Sequence, residues 1–170
     1  FNSVDITGSS VGGEFALPDH TGVTRKLSDF RGKVVLVFFG FTQCPDVCPT
    51  TLSEMAEVKK KLGSDGGRVQ VIFVTLDPER DTPEWLRDYV RFLPRGFTVL
   101  VGDADATRTT ADAWGIRYAR VETDDPDAYT VSHTADVFLV DGAGMLRARF
   151  PFGTDAVAVH GEQLVAGTQS

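Results

Sequence analysis

The order of apolar and polar positions along the chain predicts strands that alternate with helices. An unbroken apolar run, which is typical of a strand buried on both faces, occurs at residues 34–39; a second buried strand is predicted at 69–76 and a third strand at 97–101. Helical spacing and capping residues predict helices at residues 49–62, from residue 82 onward and at 105–114. This alternation predicts an α/β protein with a mainly parallel sheet covered by helices on both faces.

Two hairpins and several less regular segments complete the predicted order. Residues 14–17 and 23–27 flank the turn-forming sequence PDHTG, and residues 136–140 and 145–150 flank DGAG. The Ser- and Gly-rich residues 1–12 are expected to be flexible, and residues 13–170 are expected to form the folded domain. Thr51 and Glu54 have the spacing of a capping box. A last helix is predicted at 155–165, and the acidic residues 122–132 are expected to form a polar loop.

Composition limits the classes of partner. A chain of 170 residues with 42% hydrophobic and 24% charged residues is typical of one soluble globular domain. The net charge of −7 argues against nucleic acid as a partner, because phosphate binding needs a cationic face. The chain starts at Phe1 without Met, so we expect a mature or truncated form, which is compatible with a signal or anchor in the precursor.

The two cysteines of the chain, Cys44 and Cys48, lie together between a predicted strand and a predicted helix. The amide groups and dipole of a helix N-terminus favour a thiolate, which suits both nucleophilic attack and metal binding. Positions i and i+4 place Cβ atoms about 5–6 Å apart, whereas a disulfide needs about 3.8 Å. A soft metal such as Cu(I) or zinc tolerates the wider gap, so metal binding and disulfide formation both remain open.

A selective two-thiolate metal site needs a third ligand, and the chain has three histidines. His20 lies in a predicted turn and His160 near the C-terminus, where solvated side chains are the simpler interpretation. His133 directly precedes the apolar strand at 136–140, where the chain is expected to pass near the cysteine segment. A loop histidine that bonds locally is the alternative at this position.

Three stretches together resemble the Sco/SenC family of copper proteins. They are FTQCPDVCPT at residues 41–50, LDPERDTP at 76–83 and YTVSHT at 129–134, within a resemblance that covers about residues 14–153. The resemblance implies a thioredoxin-like central sheet with helices on both faces and an added N-terminal β-hairpin. It also implies that Cu(I) or Cu(II) is bound by the Cys44 and Cys48 thiolates and the His133 imidazole, with Asp77 near the site.

The resemblance further implies a role and a location. Sco/SenC proteins are metallochaperones that assist assembly of the dinuclear copper centre of cytochrome c oxidase. The expected partners are therefore the copper-bearing subunit of the oxidase and other copper chaperones or thiol reductants. We expect a location on the periplasmic side of the bacterial inner membrane, through an anchor outside this sequence, with the mitochondrial intermembrane space as the alternative.

Two other functions compete with the metallochaperone hypothesis. A thiol–disulfide oxidoreductase would use Cys44 as the attacking thiolate and Cys48 as the resolving thiol, reducing the cysteines of the oxidase centre. A peroxiredoxin-like peroxidase would have a threonine three residues before the reactive cysteine, where this chain has Phe41. That difference counts against the peroxidase.

The chain departs from the family pattern at two positions beside the expected ligands. Gln43 stands where family members often have histidine, and Ser132 where they often have aspartate. Neither is an expected ligand, so the departures bear on copper affinity and redox tuning. Asp77 has a second interpretation as a turn former before Pro78. Asp81 is expected to take part in the helix start at Thr82.

Overall fold

The structure is a computed structural model that describes residues 4–43, 47–125, 128–133 and 136–151, without the side chains of residues 47–49 and 151. The strands in these ranges are β1 (Val4–Asp5), β2 (Ala16–Pro18), β3 (Thr24–Lys26), β4 (Val34–Gly40), β5 (Val69–Thr75), β6 (Phe97–Leu100), β7 (Tyr118–Glu122), β8 (Tyr129–His133), β9 (Asp136–Val140) and β10 (Leu146–Pro151). The helices are α1 (Val47–Lys61), α2 (Pro83–Tyr89) and α3 (Ala104–Ala113). Strands and helices alternate from β4 to α3, as the sequence predicts.

The main sheet is mixed, which corrects the prediction that it is mainly parallel. Its strand order is β1–β10–β9–β4–β5–β6. β4, β5 and β6 run parallel, whereas β9 pairs antiparallel with β4 and β10 pairs antiparallel with β9. The short turn at residues 141–144 accounts for the β9–β10 pair, because a tight turn can join only antiparallel strands.

The two central strands are buried along their whole length. All seven residues of β4 and all seven of β5 are buried, which confirms the two buried strands predicted at 34–39 and 69–76. Because side chains alternate between faces, Leu36 packs with α1 and α2 in one core cluster, which includes Met55 and Leu86. Val37 packs in the other cluster, which includes Trp114 directly after α3. Helices therefore cover both faces of the sheet.

The helix ends lie close to the positions predicted from capping residues and glycine, but one predicted capping box is wrong. α1 begins at Val47, so Thr51 and Glu54 lie inside the helix and do not form the predicted capping box at its start. α1 ends just before Gly63, which takes the left-handed conformation (φ 57°) that glycine adopts freely. The predicted start of α2 is confirmed: the Thr82 hydroxyl caps the helix by accepting the Trp85 backbone N–H.

The largest difference from the predicted order lies in the acidic segment. Residues 122–132 were expected to be a loop, but β7 and β8 form an antiparallel hairpin in which Tyr118 pairs with His133. Tyr129, Val131 and His133 alternate with polar residues and turn towards the protein, whereas Ser132 is exposed. His133 is therefore the last residue of a strand.

The N-terminal hairpin is present, with β2 and β3 paired antiparallel around the predicted turn. Val4 and Asp5, within the segment expected to be flexible, pair with β10 as an edge strand. The division of the chain at residue 12 stays a prediction. The helix predicted at 155–165 lies outside the described residues. No helix in the described parts of the chain is long and apolar enough to cross a membrane.

Candidate metal centre

Three segments of the chain converge at one edge of the main sheet. β4 and β9 pair antiparallel with Phe38 opposite Val137, so the end of β4 and the start of β9 lie at the same edge. Leu76, directly after β5, donates its backbone N–H to the Gly40 carbonyl at 2.7 Å. This arrangement brings together the cysteine segment after β4, the LDPERDTP segment after β5 and the segment that ends in His133.

The cysteine segment leaves β4 and leads into α1. Cys44 lies outside the described residues, and Cys48 is the second residue of α1. The prediction that the second cysteine lies in the first helical turn is confirmed. The backbone N–H groups at this end of the helix have no partners within it, and with the helix dipole they favour a thiolate.

His133 lies beside the cysteine segment. Its half-buried ring contacts Phe41 edge-on, with centroids 5.8 Å apart and planes at 82°. It also contacts Phe38 of β4 edge-on at 6.4 Å. Phe41 precedes Cys44 by three residues. Residues that are far apart in the sequence are therefore in contact at this edge of the sheet.

Asp77 follows β5 at the same edge and is 5% exposed. Its carboxylate accepts hydrogen bonds from Arg80 Nε at 2.5 Å and from the Tyr129 hydroxyl at 2.8 Å. Its backbone carbonyl accepts from the N–H groups of Arg80 and Asp81. Asp77 thus forms the turn expected before Pro78, and its side chain in addition links the end of β5 to β8.

Tyr129 is the partner of Asp77 on the hairpin, and sequence reasoning did not single it out. The guanidinium carbons of Arg80 and Arg120 lie 3.7 and 3.8 Å from its ring centroid. Since one face of the ring has room for one guanidinium, the ring lies between them. Burial, followed by the hydrogen bond to the Asp77 carboxylate, raises the pKa of Tyr129 to about 12. This phenol therefore stays protonated as a donor at neutral pH.

The role predicted for the Asp81 side chain is wrong. It was expected to take part in the helix start, but its fully buried carboxylate bonds residues of other segments. It accepts from the Thr42 backbone N–H at 3.1 Å, the Thr42 hydroxyl at 2.5 Å and the Thr75 hydroxyl at 2.6 Å. Trp85, half-exposed on α2, donates its indole N–H to the Thr42 hydroxyl at 2.7 Å. Asp81 thus fastens the start of the cysteine segment to the end of β5.

The donor set expected from the sequence fits a soft transition metal. Two thiolates and an imidazole suit Cu(I) or zinc, whereas carboxylates suit harder ions. The carboxylates described near this edge already accept hydrogen bonds, Asp77 from Arg80 and Asp81 from the two threonines. Within the described residues, no three His, Cys, Asp or Glu side chains gather into a metal site. The ligand set of Cys44, Cys48 and His133 stays a prediction.

Comparison with known proteins gives one consistent relationship. The chain is 35% identical over 141 residues to an SCO2-like protein of Rickettsia felis, covering 82% of this chain and 69% of that protein. The copper-bound structure of ScoI from Bradyrhizobium japonicum is similar in fold (TM-score 0.80, 34% identity, 91% of this chain and 99% of that chain). So is apo Sco1 of Thermus thermophilus (TM-score 0.74, 40% identity, 94% and 90%).

These likenesses confirm the thioredoxin-like α/β fold expected from the sequence. The family model described as SCO1/SenC matches residues 4–163, which is nearly the whole chain. The match includes the cysteine segment, the LDPERDTP segment and His133. On this evidence, the chain belongs to the SCO1/SenC family.

Proposed function

We propose that this protein is a copper metallochaperone that assists assembly of the dinuclear copper centre of cytochrome c oxidase. Copper is its cargo, held by the thiolates of Cys44 and Cys48 and by the imidazole of His133. The observation that carries the proposal is the contact between the His133 ring and Phe41, three residues before Cys44. Family membership and the copper-bound relative from Bradyrhizobium japonicum support it.

The chemistry of each group supports a reversible copper site. Thiolates bind Cu(I) tightly, and the N-terminal turn of α1 favours the thiolate form of Cys48. His133 adds a nitrogen ligand from a separate element, so the cargo bridges the cysteine segment and the hairpin. Phe38 and Phe41 flank the imidazole and limit the access of water to it. A partner cysteine can then replace His133 as the third ligand during transfer.

The partners we propose are the copper-bearing subunit of cytochrome c oxidase and other copper chaperones or thiol reductants. The proposed location is the periplasmic side of the bacterial inner membrane, through an anchor outside this sequence. The relationship to an SCO2-like protein of a bacterium is consistent with that location. The acidic net charge of −7 continues to argue against a nucleic-acid partner.

A thiol–disulfide reductase is the second candidate, favoured by the place of Cys48 in the first turn of α1. The Cys44 thiolate would attack a disulfide of the partner to form a mixed disulfide and release one partner thiolate. Cys48 would then attack the Cys44 sulfur and release the second partner thiolate. The chain would lose two electrons and two protons to form the Cys44–Cys48 disulfide, while the partner disulfide gains them as two thiols. Oxidation of the pair would abolish copper binding, so the two activities exclude each other at any moment.

Copper stoichiometry of the reduced protein tests the first proposal. We expect one copper ion per wild-type chain and marked loss in Cys44→Ser, Cys48→Ser and His133→Ala. His20→Ala, in the turn between β2 and β3, is the matched control and should bind like the wild type. Full copper binding by His133→Ala would contradict the proposed ligand set.

A second assay separates the two candidates. Reduction of a disulfide-bonded peptide derived from a copper-site partner is followed with the metal-free protein. A reductase should retain most of this activity in His133→Ala and lose it in Cys44→Ser. A protein that binds copper but reduces the peptide no faster than a simple dithiol would be a donor only.

A further inference from the structure

Hydrogen bonds from two threonine hydroxyls converge on the carboxylate of Asp81. The Thr42 hydroxyl accepts from the indole N–H of Trp85, and the Thr75 hydroxyl accepts from the backbone N–H of Asp77 at 3.0 Å. Both N–H groups can only donate, so each hydroxyl accepts one of them and directs its own proton towards Asp81. The hydrogen bonds run inward from Trp85 and Asp77 and end on Asp81.

Thr42 is the residue through which this network reaches the cysteine segment. It precedes Cys44 by two residues, and its neighbour Phe41 contacts the His133 ring. Asp81 binds both the backbone N–H and the hydroxyl of Thr42, so main chain and side chain are held together. Two consecutive residues thus tie the start of the cysteine segment to the histidine and to β5.

We propose that Asp81 is a positioning residue for the cysteine segment: by holding Thr42, it sets where Cys44 stands relative to His133. The proposal rests on the proposed copper function. Asp81 does not itself bind the metal, because its oxygens are occupied by hydrogen bonds and it is buried away from the surface. A buried carboxylate is suited to holding Thr42 in place, because leaving one of its oxygens without a hydrogen-bond donor destabilises the folded protein.

Positioning matters for a ligand on a short segment. Groups that orient metal ligands commonly change metal affinity by about 10–100-fold when they are removed. The segment between β4 and α1 contains Cys44, and Asp81 attaches that segment 39 residues away in sequence. Trp85, which directs the Thr42 hydroxyl towards Asp81, is 50% exposed. The network therefore extends from the cysteine segment to the surface of α2.

The chain contains a matched control for the test. In the turn between β2 and β3, the Thr21 backbone N–H and hydroxyl both bond to Asp19 at 2.8 and 2.5 Å, and Asp19 is 4% exposed. Thr42→Val and Thr21→Val remove the same hydroxyl from the same kind of arrangement. Thr42→Ser keeps the hydroxyl and serves as the rescue variant.

Three measurements are made on each variant: alkylation rates of the reduced, metal-free thiols, Cu(I) affinity by chelator competition, and the Cu(II)–thiolate absorption band. Thr42→Val should weaken Cu(I) binding by about 10-fold or more, shift the absorption band and change the alkylation rate of Cys44. Thr42→Ser should restore most of each value. Thr21→Val should leave all three at wild-type values, even where it lowers the melting temperature.

The outcomes distinguish the two proposals. If wild-type protein takes up no copper, the proposed function fails, while the alkylation rates still test positioning. If folded Thr42→Val matches the wild type in all three measurements, Asp81 does not position the cysteines. Should Thr42→Val fail to fold, Asp81→Asn and Trp85→Phe are measured in the same way, and wild-type values in both overturn the proposal.

Discussion

Tyr129 donates a hydrogen bond of 2.8 Å to the carboxylate of Asp77, although the two residues are 52 positions apart in the sequence. Tyr129 begins β8 and His133 ends it. Asp77 lies just beyond the end of β5, at the edge where the cysteine segment leaves β4. This hydrogen bond therefore attaches the histidine-bearing strand to the parallel half of the sheet.

Tyr129→Phe should destabilise the protein by about 1–2 kcal/mol, because a buried acceptor loses a hydrogen bond. The ring and its contacts with Arg80 and Arg120 should remain. Urea unfolding of the metal-free, reduced protein measures the change. Tyr118→Phe is the comparison, since the Tyr118 ring also lies under an arginine, Arg108. An equal or larger loss in Tyr118→Phe would show that the contact with Asp77 is not special.

The raised pKa of Tyr129, about 12 against an ordinary value of 10, predicts a loss of stability at alkaline pH. Between these two values the folded protein keeps the phenol proton, whereas the unfolded chain has released it. The free energy of unfolding should therefore fall as the pH rises from about 10 to about 12. Burial also raises the pKa of Tyr118 in the same direction. Unfolding of wild type, Tyr129→Phe and Tyr118→Phe across this range separates the two, and an unchanged slope in Tyr129→Phe contradicts the assignment.

Asp77→Ala should leave the fold intact and weaken copper retention by about 10-fold or more. The substitution removes the acceptor of both Arg80 and Tyr129, so the hairpin that carries His133 loses one of its links to the segment after β5, while the Arg80 contact with the Tyr129 carbonyl remains. Circular dichroism checks the fold, and chelator competition measures retention. Asp77→Asn, which keeps an acceptor for Tyr129, should be milder. Unaltered copper retention in Asp77→Ala would show that Asp77 only forms the turn before Pro78 and does not support the metal site.

Copper should stabilise the reduced protein strongly, because the proposed ligands come from two separate elements. A ligand at about a thousandfold over its dissociation constant adds roughly 4 kcal/mol, which is about 10 °C in melting temperature for a domain of this size. The Cys44–Cys48 disulfide closes a very short loop, so its own entropic stabilisation should be small. Melting of the reduced, copper-loaded and oxidised forms tests this. An equal gain on adding copper to the oxidised protein would show that the thiolates are not ligands.

The central strands could be predicted from the sequence because their pattern is local and redundant. β4 and β5 are mostly apolar and are buried at every position. A small error in where either strand begins or ends therefore leaves the strand prediction unchanged. The hairpin of β7 and β8 could not be recognised in the same way. Most of β7 is exposed, and the acidic residues around Pro126 hide the alternation of Tyr129, Val131 and His133. That alternation is the signal that would have identified β8.

The candidate site was predicted to different depths for different residues. Thr82 was recognised as a helix cap because its partner is three residues away. Asp81, its neighbour, was misassigned because its partner Thr42 is 39 positions away and reaches it only through the pairing of β4 with β5. Tyr129 was missed because its partner Asp77 is 52 positions away. Local spacing identifies caps and cysteine pairs, whereas residues that hold a site together depend on tertiary structure.

The position of β9 between β4 and β10 has a consequence for the order in which the protein matures. His133 precedes β9, and it meets Phe41 only after β9 has paired with the edge of β4. A chain still emerging from the ribosome presents two thiols long before it presents the histidine beside them. Under the proposed function, a chain would bind copper through all three ligands only once β9 has paired with β4. Copper would then be found in chains whose main sheet has formed.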